Sequence, residues 1–337
     1  MADPEFKQNG YHKLLSGTEM PPVERLTRVV TWATIVLAAV CLSCGGSPQG
    51  LSTPSPVSSL NRAETPSVPE AAPAPVLPTE IFVGAGDIGQ CTNGGNPQAT
   101  AQLLDSIGGT IFALGDNAYP SGTVQNYRDC YDSSWGRFKS RTRPVAGNHE
   151  YDSSPMGAPY FDYFGAAAGA PGSGFYSYQL GNWHVVALNS NLPVGRNSSQ
   201  GAWLKADLAA NSAKCTIAYW HFPLFSSSKH GNIEQVRDLW RTLYEDGADV
   251  VLGAHDHVYE RFAPQDPDGA PDSVNGIREF VVGTGGAPPY PFVDVKPNSE
   301  VRLSTNGVLR LALKAGGYDW NFIAVNGPGD AGSGTCH

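Results

Sequence analysis

Charged side chains are scarce in this chain: 16% of its 337 residues are Asp, Glu, Lys or Arg, against about 25% in an average globular protein. Positive charge is the scarcer sign, with 22 Lys and Arg against 31 Asp and Glu and a formal net charge of -9. No nucleic-acid-binding surface is therefore evident, since that needs a basic footprint, and the same holds for non-specific binding to an anionic membrane. A phosphate bound here must draw positive charge from something other than surface Lys and Arg. No apolar run is long enough to span a bilayer comfortably, the longest being Val29 to Cys44. No Cys-x-x-Cys pair follows residue 44, which argues against a structural zinc ribbon, and no internal repeat is visible. What is plentiful is Gly (39) and Pro (27), and together they predict long structured loops.

The run from Val29 to Cys44 follows Arg25 and Arg28 and has the length of a secretory signal core. Residues 1–44 read as a leader with a signal peptide or lipoprotein signal, Met20 being a candidate natural start. Cys41, or Cys44 before Gly45-Gly46-Ser47, is a candidate lipidated N-terminal Cys, a possible membrane tether; cleavage and release is the alternative. Residues 45–79 are a Pro/Ser/Ala-rich linker too poor in large apolar residues to bury a core. Residues 80–337 form the expected ordered domain, and the chain is expected outside the cytoplasm, whether secreted, periplasmic or membrane-anchored.

Four cysteines remain in that domain: Cys91, Cys130, Cys215 and Cys336. An even count in an exported chain suggests two disulfides, and three pairings are open. Cys91 with Cys130 is favoured because both follow candidate site strands, which leaves Cys215 with Cys336.

Five short apolar runs read as buried strands: Ile81 to Ala85, Thr110 to Leu114, Arg143 to Ala146, Thr216 to Trp220 and Asp249 to Leu252. Helical patterns lie between them, at Pro97 to Ile107, Gly201 to Ala209 and Glu234 to Tyr244. Tyr176 to Leu180 and Trp183 to Asn189, around Gly181-Asn182, read as a hairpin. Further strands are expected at Glu279 to Val282, Val308 to Leu313 and Trp320 to Val325. The fold class is α/β, with two stacked mixed β-sheets flanked by helices and ligands at the carboxyl ends of the strands.

Each of the five apolar runs ends in potential metal ligands. In order these are Asp87-Ile88-Gly89, Gly115-Asp116-Asn117-Ala118-Tyr119, Gly147-Asn148-His149-Glu150, His221, and His255-Asp256-His257. Any one of them alone reads as a turn or a core histidine. Five separate turns that bring oxygen and nitrogen donors to one sheet edge are hard to obtain for packing reasons. Carboxylate, amide and imidazole donors together suit Zn, Fe or Mn, with too many histidines for a Ca or Mg cage. Gly283-Thr284-Gly285-Gly286 reads as a turn, since Pro288-Pro289 rather than a helix follow. Glu260 and Arg261 read as a structural ion pair, and His184 as a packing or surface residue.

These blocks, in this order and spacing, resemble the calcineurin-like metallophosphoesterases and, within them, the purple acid phosphatase branch. That branch is marked by Asp-x-Gly, Gly-Asp-x-x-Tyr, Gly-Asn-His-Asp/Glu, Val-x-x-His and Gly-His-x-His. Here Ala218 stands for the Val of the fourth block and Ala254 for the Gly of the fifth. The resemblance implies a four-layer α/β/β/α sandwich and two metal ions. One would be held by Asp87, Asp116, Tyr119 and His257, the other by Asp116, Asn148, His221 and His255, with Asp116 bridging. A phenolate from Tyr119 favours Fe(III) beside a divalent Zn, Fe or Mn ion, with a di-divalent pair as the alternative. The implied activity is hydrolysis of phosphate monoesters by in-line attack of a metal-bound hydroxide. His149 is the candidate general acid and His230 the candidate substrate-side histidine. A phosphodiesterase of the same superfamily, acting on nucleotide or phospholipid headgroup diesters, is the main alternative. A non-catalytic lipoprotein binding module is the remote one.

Overall fold

The computed structural model describes residues 78–337. The expected leader and signal, with Cys41 and Cys44, and the linker up to residue 77 lie outside the described residues. Among the described residues no helix is long and apolar enough to cross a membrane.

The strands are β1 Glu80–Ala85, β2 Thr110–Leu114, β3 Thr142–Val145, β4 Tyr176–Leu180, β5 Trp183–Ala187, β6 Cys215–Tyr219, β7 Val250–Gly253, β8 Tyr259–Phe262, β9 Arg278–Val282, β10 Ser299–Leu303, β11 Gly307–Lys314, β12 Gly317–Ala324 and β13 Asp330–Thr335. They form a six-stranded sheet in the order β13-β12-β11-β1-β2-β3 and a seven-stranded sheet in the order β10-β8-β9-β7-β6-β5-β4. Strands β1, β2 and β3 run parallel, as do β5, β6, β7 and β9. Every strand expected to end in a ligand is therefore a parallel strand, β3 at the edge of its sheet and the other four inside theirs. The carboxyl ends of the two sheets are stitched together, with the Gly86 N–H donating to the Val282 carbonyl at 2.8 Å and the His255 N–H donating to Asp87 Oδ2 at 2.8 Å.

Period-two alternation explains how the seven-stranded sheet is covered on both faces. On β6, Cys215, Ile217 and Tyr219 join the core shared with the other sheet, while Ala218 and the following Trp220 join a second core. Strand β7 repeats the pattern, Val250 and Leu252 facing one core and Val251 the other. The second core is roofed by the helices Ser199–Ala210 and Arg237–Glu245, through Leu204, Leu208, Leu239, Trp240 and Leu243. The expected helix from Glu234 begins as a 3-10 turn, Glu234–Val236, and becomes α-helical only at Arg237. The helix Pro97–Asp105 is capped by Asn96, whose side chain accepts from the Ala99 N–H, and packs Ala101 and Leu104 against the six-stranded sheet.

Both favoured disulfides are present, Cys91–Cys130 and Cys215–Cys336. The second pins the residue after edge strand β13 to the start of β6, so it ties one sheet to the other. Glu260 and Arg261 do not pair with each other. They are neighbours on β8, where side chains alternate between faces: Arg261 pairs with Glu300 and with Asp330 at 2.7 Å, and Glu260 accepts from the Ser227 N–H at 2.8 Å. His184 is buried, 3.0 Å from Asp207.

Candidate metal centre

The candidate ligands Asp87, Asp116, Tyr119, Asn148, His221, His255 and His257 all come from loops that follow β1, β2, β3, β6 and β7, and they fall into two contiguous groups. In the first, Tyr119 Oη lies 2.6 Å from Asp87 Oδ1, 3.1 Å from Asp116 Oδ2 and 3.2 Å from His257 Nε2. His257 Nε2 is also 3.3 Å from Asp87 Oδ1. In the second, His221 Nε2 lies 3.1 Å from Asn148 Oδ1, 3.2 Å from His255 Nδ1 and 3.3 Å from Asp116 Oδ2. Donors held about 2.1 Å from one ion at right angles to each other are about 3 Å apart, so both groups have the spacing of a coordination shell. Asp116, His221 and His255 converge, with ligand atoms within 4.8 Å of one another.

Asp116 belongs to both groups, and it does so through one oxygen. Oδ2 faces Tyr119 on one side and His221 on the other, while Oδ1 accepts the His149 N–H at 2.9 Å.

Backbone conformation aims these side chains. Asp87, Asp116 and His255 all have positive φ (57°, 48° and 68°), a region that costs a non-glycine residue free energy and clusters at functional sites. Close approach requires glycine at two neighbouring positions. A Cβ on Gly147 would lie 2.1 Å from Asp116 Oδ1, and one on Gly115, whose φ is 85°, would lie 2.8 Å from His221 Nδ1. The imidazoles are oriented from behind, His221 Nδ1 by the Leu114 carbonyl at 2.8 Å and His257 Nδ1 by the Pro288 carbonyl at 3.0 Å. Each carbonyl takes the Nδ1 proton and leaves Nε2 facing the cluster.

Electrostatics fit cations. Burial would raise the Asp116 carboxyl, yet His221, His149 and His255 around it hold the group well below the usual carboxylate range. Burial, then the carboxylates of Asp116 and Asp87, push the Tyr119 phenol well above its ordinary value, so without a cation the phenol keeps its proton and donates it to Asp87. A hard cation in place of that proton would leave a phenolate with two carboxylate neighbours, a donor set suited to iron.

The two candidate catalytic histidines stand at the open side of the cluster. His149 Nδ1 is held by the Pro120 carbonyl at 2.6 Å and by Asp152 at 3.0 Å, and Nε2 is 3.7 Å from Asp116 Oδ2. Burial pulls its pKa down, but Asp116, Asp152 and the Pro120 carbonyl more than offset this, leaving it above the ordinary histidine value. His230 lies against the second group, with its ring centroid 4.3 Å from that of His255.

Sequence reasoning missed three participants. Glu150, fully buried, accepts from the N–H groups of Gly147 (2.7 Å), Asn117 (2.9 Å) and Ala118 (3.3 Å) and from Tyr127 Oη (3.1 Å), so one carboxylate ties the loop after β2 to the loop after β3. Burial and Asp116 raise it to about 7 against those N–H donors. Tyr290 stacks on His257 at 3.9 Å with rings 14° apart. Asp256, fully buried between two candidate ligands, contacts His230 instead of the cluster. The signal for Glu150 was its place in the Gly-Asn-His-Glu block. Asp256 stood inside the His255-Asp256-His257 block, where it counted as a potential ligand and not as a partner of His230, and Tyr290 gave no signal.

A family model described as calcineurin-like phosphoesterase matches residues 82–259, more than half of the chain. Purple acid phosphatase 18 of Arabidopsis thaliana is 27% identical over 227 residues, covering 61% of this chain and 49% of its own length. Purple acid phosphatase 21 of the same plant is 32% identical over 216 residues, covering 57% and 47%. The solved structure of a purple acid phosphatase isolated from yellow lupin (Lupinus luteus) seeds superposes with a TM-score of 0.64 at 20% identity, over 76% of this chain and 53% of that one, a likeness of fold. The chain spans about half the length of the curated relatives it matches.

Proposed function

The chain belongs to the calcineurin-like phosphoesterase family, and from that membership we propose that it is an exported phosphatase that hydrolyses small phosphate monoesters at a binuclear metal centre. The observation that carries the reading is the shared Asp116 Oδ2, 3.1 Å from one donor group and 3.3 Å from the other. A single oxygen between two half-shells of mixed ligands suits two cations at the short separation of two-metal hydrolases. Asp87, Asp116, Tyr119 and His257 would hold one ion, with Fe(III) favoured by the phenolate. Asp116, Asn148, His221 and His255 would hold a divalent Zn, Fe or Mn ion, and a di-divalent pair is the alternative loading. When bound, the two ions supply Lewis-acid neutralisation of the phosphate and activation of the attacking water.

The protein's own groups supply orientation and protons. Asn148 carries a ligand oxygen and sits beside His149, so one turn delivers both a metal donor and a proton donor. His149, locked at Nδ1 by Pro120 and Asp152, holds a proton at Nε2 and delivers it to the departing alkoxide. His230 meets the phosphate beside His255. Two disulfides support an oxidising compartment, in keeping with the apolar segment before Gly45.

Turnover of a panel of monoesters and diesters by metal-loaded protein tests the proposal. Faster hydrolysis of monoesters at equal leaving-group pKa is the expected result. A preference for diesters would move the assignment to a phosphodiesterase with the same centre.

A further inference from the structure

The fifth ligand block reads His255-Asp256-His257, and its middle residue turns away from the two histidines. Asp256 is fully buried. Its Oδ1 accepts from the His230 N–H at 3.0 Å and lies 3.0 Å from His230 Nδ1, and its Oδ2 accepts from Ser226 Oγ at 2.5 Å. Ser226 Oγ in turn accepts the Ser228 N–H at 3.1 Å. One carboxylate thus closes the whole Ser226 to His230 turn and clamps its terminal imidazole at one nitrogen.

We propose that Asp256 is a positioning residue for phosphate recognition, fixing His230 so that Nε2 donates to a phosphate oxygen of substrate or product. The proposal rests on the phosphatase reading and deepens it. Asp256 sits in the same short turn as two candidate ligands, so the wall that receives phosphate is indexed to the metal centre through adjacent backbone. The His230 ring lies over His255 at 4.3 Å, and its side chain is about one-third exposed, so the nitrogen opposite Asp256 faces the open side of the site. The two ring nitrogens serve two contacts, one with Asp256 and one with phosphate. Without Asp256 the ring is free to rotate, and the contact loses its direction.

The test uses full-length metal-loaded protein and its variants His230→Ala, Asp256→Ala, Asp256→Asn and the His230→Ala/Asp256→Ala pair. Three quantities are measured at one fixed pH: metal content, the shift of thermal unfolding produced by inorganic phosphate, and KM and kcat for one monoester. A charge-assisted hydrogen bond is worth about tenfold or more in affinity. His230→Ala and Asp256→Ala should each weaken phosphate binding and raise KM by about that factor, with two metals retained. In the His230→Ala background, removing Asp256 should add less than about twofold, since both changes break one contact. Effects that multiply, or loss of metal in Asp256→Asn, would overturn the proposal and make Asp256 part of the metal-site framework. Should Asp256→Ala fail to fold, Asp256→Asn keeps the side-chain volume and carries the same cycle. Wild-type protein with two metals but neither turnover nor a phosphate-dependent shift would overturn the phosphatase reading, and this proposal with it.

Discussion

Glu279 is a buried carboxyl whose protonation should be written into the stability of the loop that carries His230. It lies on β9 with no solvent exposure, and its two oxygens accept the N–H groups of Leu224 (3.1 Å) and Phe225 (3.3 Å), a few residues after His221. Burial raises it well above its ordinary 4.5, Glu260 raises it further, and the two N–H donors oppose both. The folded protein therefore keeps this proton to higher pH than the unfolded chain does. The contribution to stability is fully present below the unfolded value and is lost as pH rises through the folded one. Between the two values the loss is about 1.4 kcal/mol per pH unit. Glu279→Gln removes that titration but turns an amide NH2 towards a backbone N–H, a pH-independent cost of about 1–3 kcal/mol. The variant should be the less stable protein near pH 5, and the gap should narrow by about 1.4 kcal/mol for each pH unit until the folded value is reached. Urea unfolding of both proteins at intervals from about pH 5 to about pH 8 measures the gap directly. A gap that stays constant across that range would refute the assignment of a raised carboxyl to Glu279.

Asp116→Ala removes the oxygen shared by both donor groups, so it should abolish binding of both metals and all turnover; metal analysis that finds one site still full would contradict bridging. His149→Ala should keep both metals and slow esters with poor leaving groups more than activated aryl esters. Equal loss on both substrates in steady-state assays would argue against proton delivery. Cys336→Ser opens a disulfide spanning 121 residues, and should cost about 4–5 kcal/mol of stability by the loop-entropy relation, with amide exchange across Asp330–Thr335 accelerating first. An unchanged urea midpoint would show that the sheets hold together without it.

The parallel core was legible because its strands are apolar runs that each end in a polar cluster, and β1, β2, β6 and β7 lie within a residue or two of where hydrophobicity put them. Edge strands β3 and β4 were legible too, but β10 and β13 were not. Strand β13, Asp-Ala-Gly-Ser-Gly-Thr, has little β-propensity and forms because it pairs with β12 from Gly317↔Thr335 to Phe322↔Asp330 next to a disulfide. The short helix Ala158–Phe164 escaped notice because its aromatics buttress Tyr127 and Tyr131 through ring packing rather than following a clear helical stripe. Within the candidate site, residue types and spacing picked out the candidate donors that the structure brings together. The place of Asp116 Oδ2 between the two groups, the Glu150 latch and the Asp256 contacts depend on which way each carboxylate faces, and that is decided by backbone φ and by N–H groups from other loops.

Metal analysis of the purified protein together with its visible spectrum tests the central claim most directly. Two metal ions per chain, one of them iron, and a tyrosinate absorption band that disappears in Tyr119→Phe are the expected result. Protein that holds no metal and takes up none on reconstitution would contradict the binuclear centre.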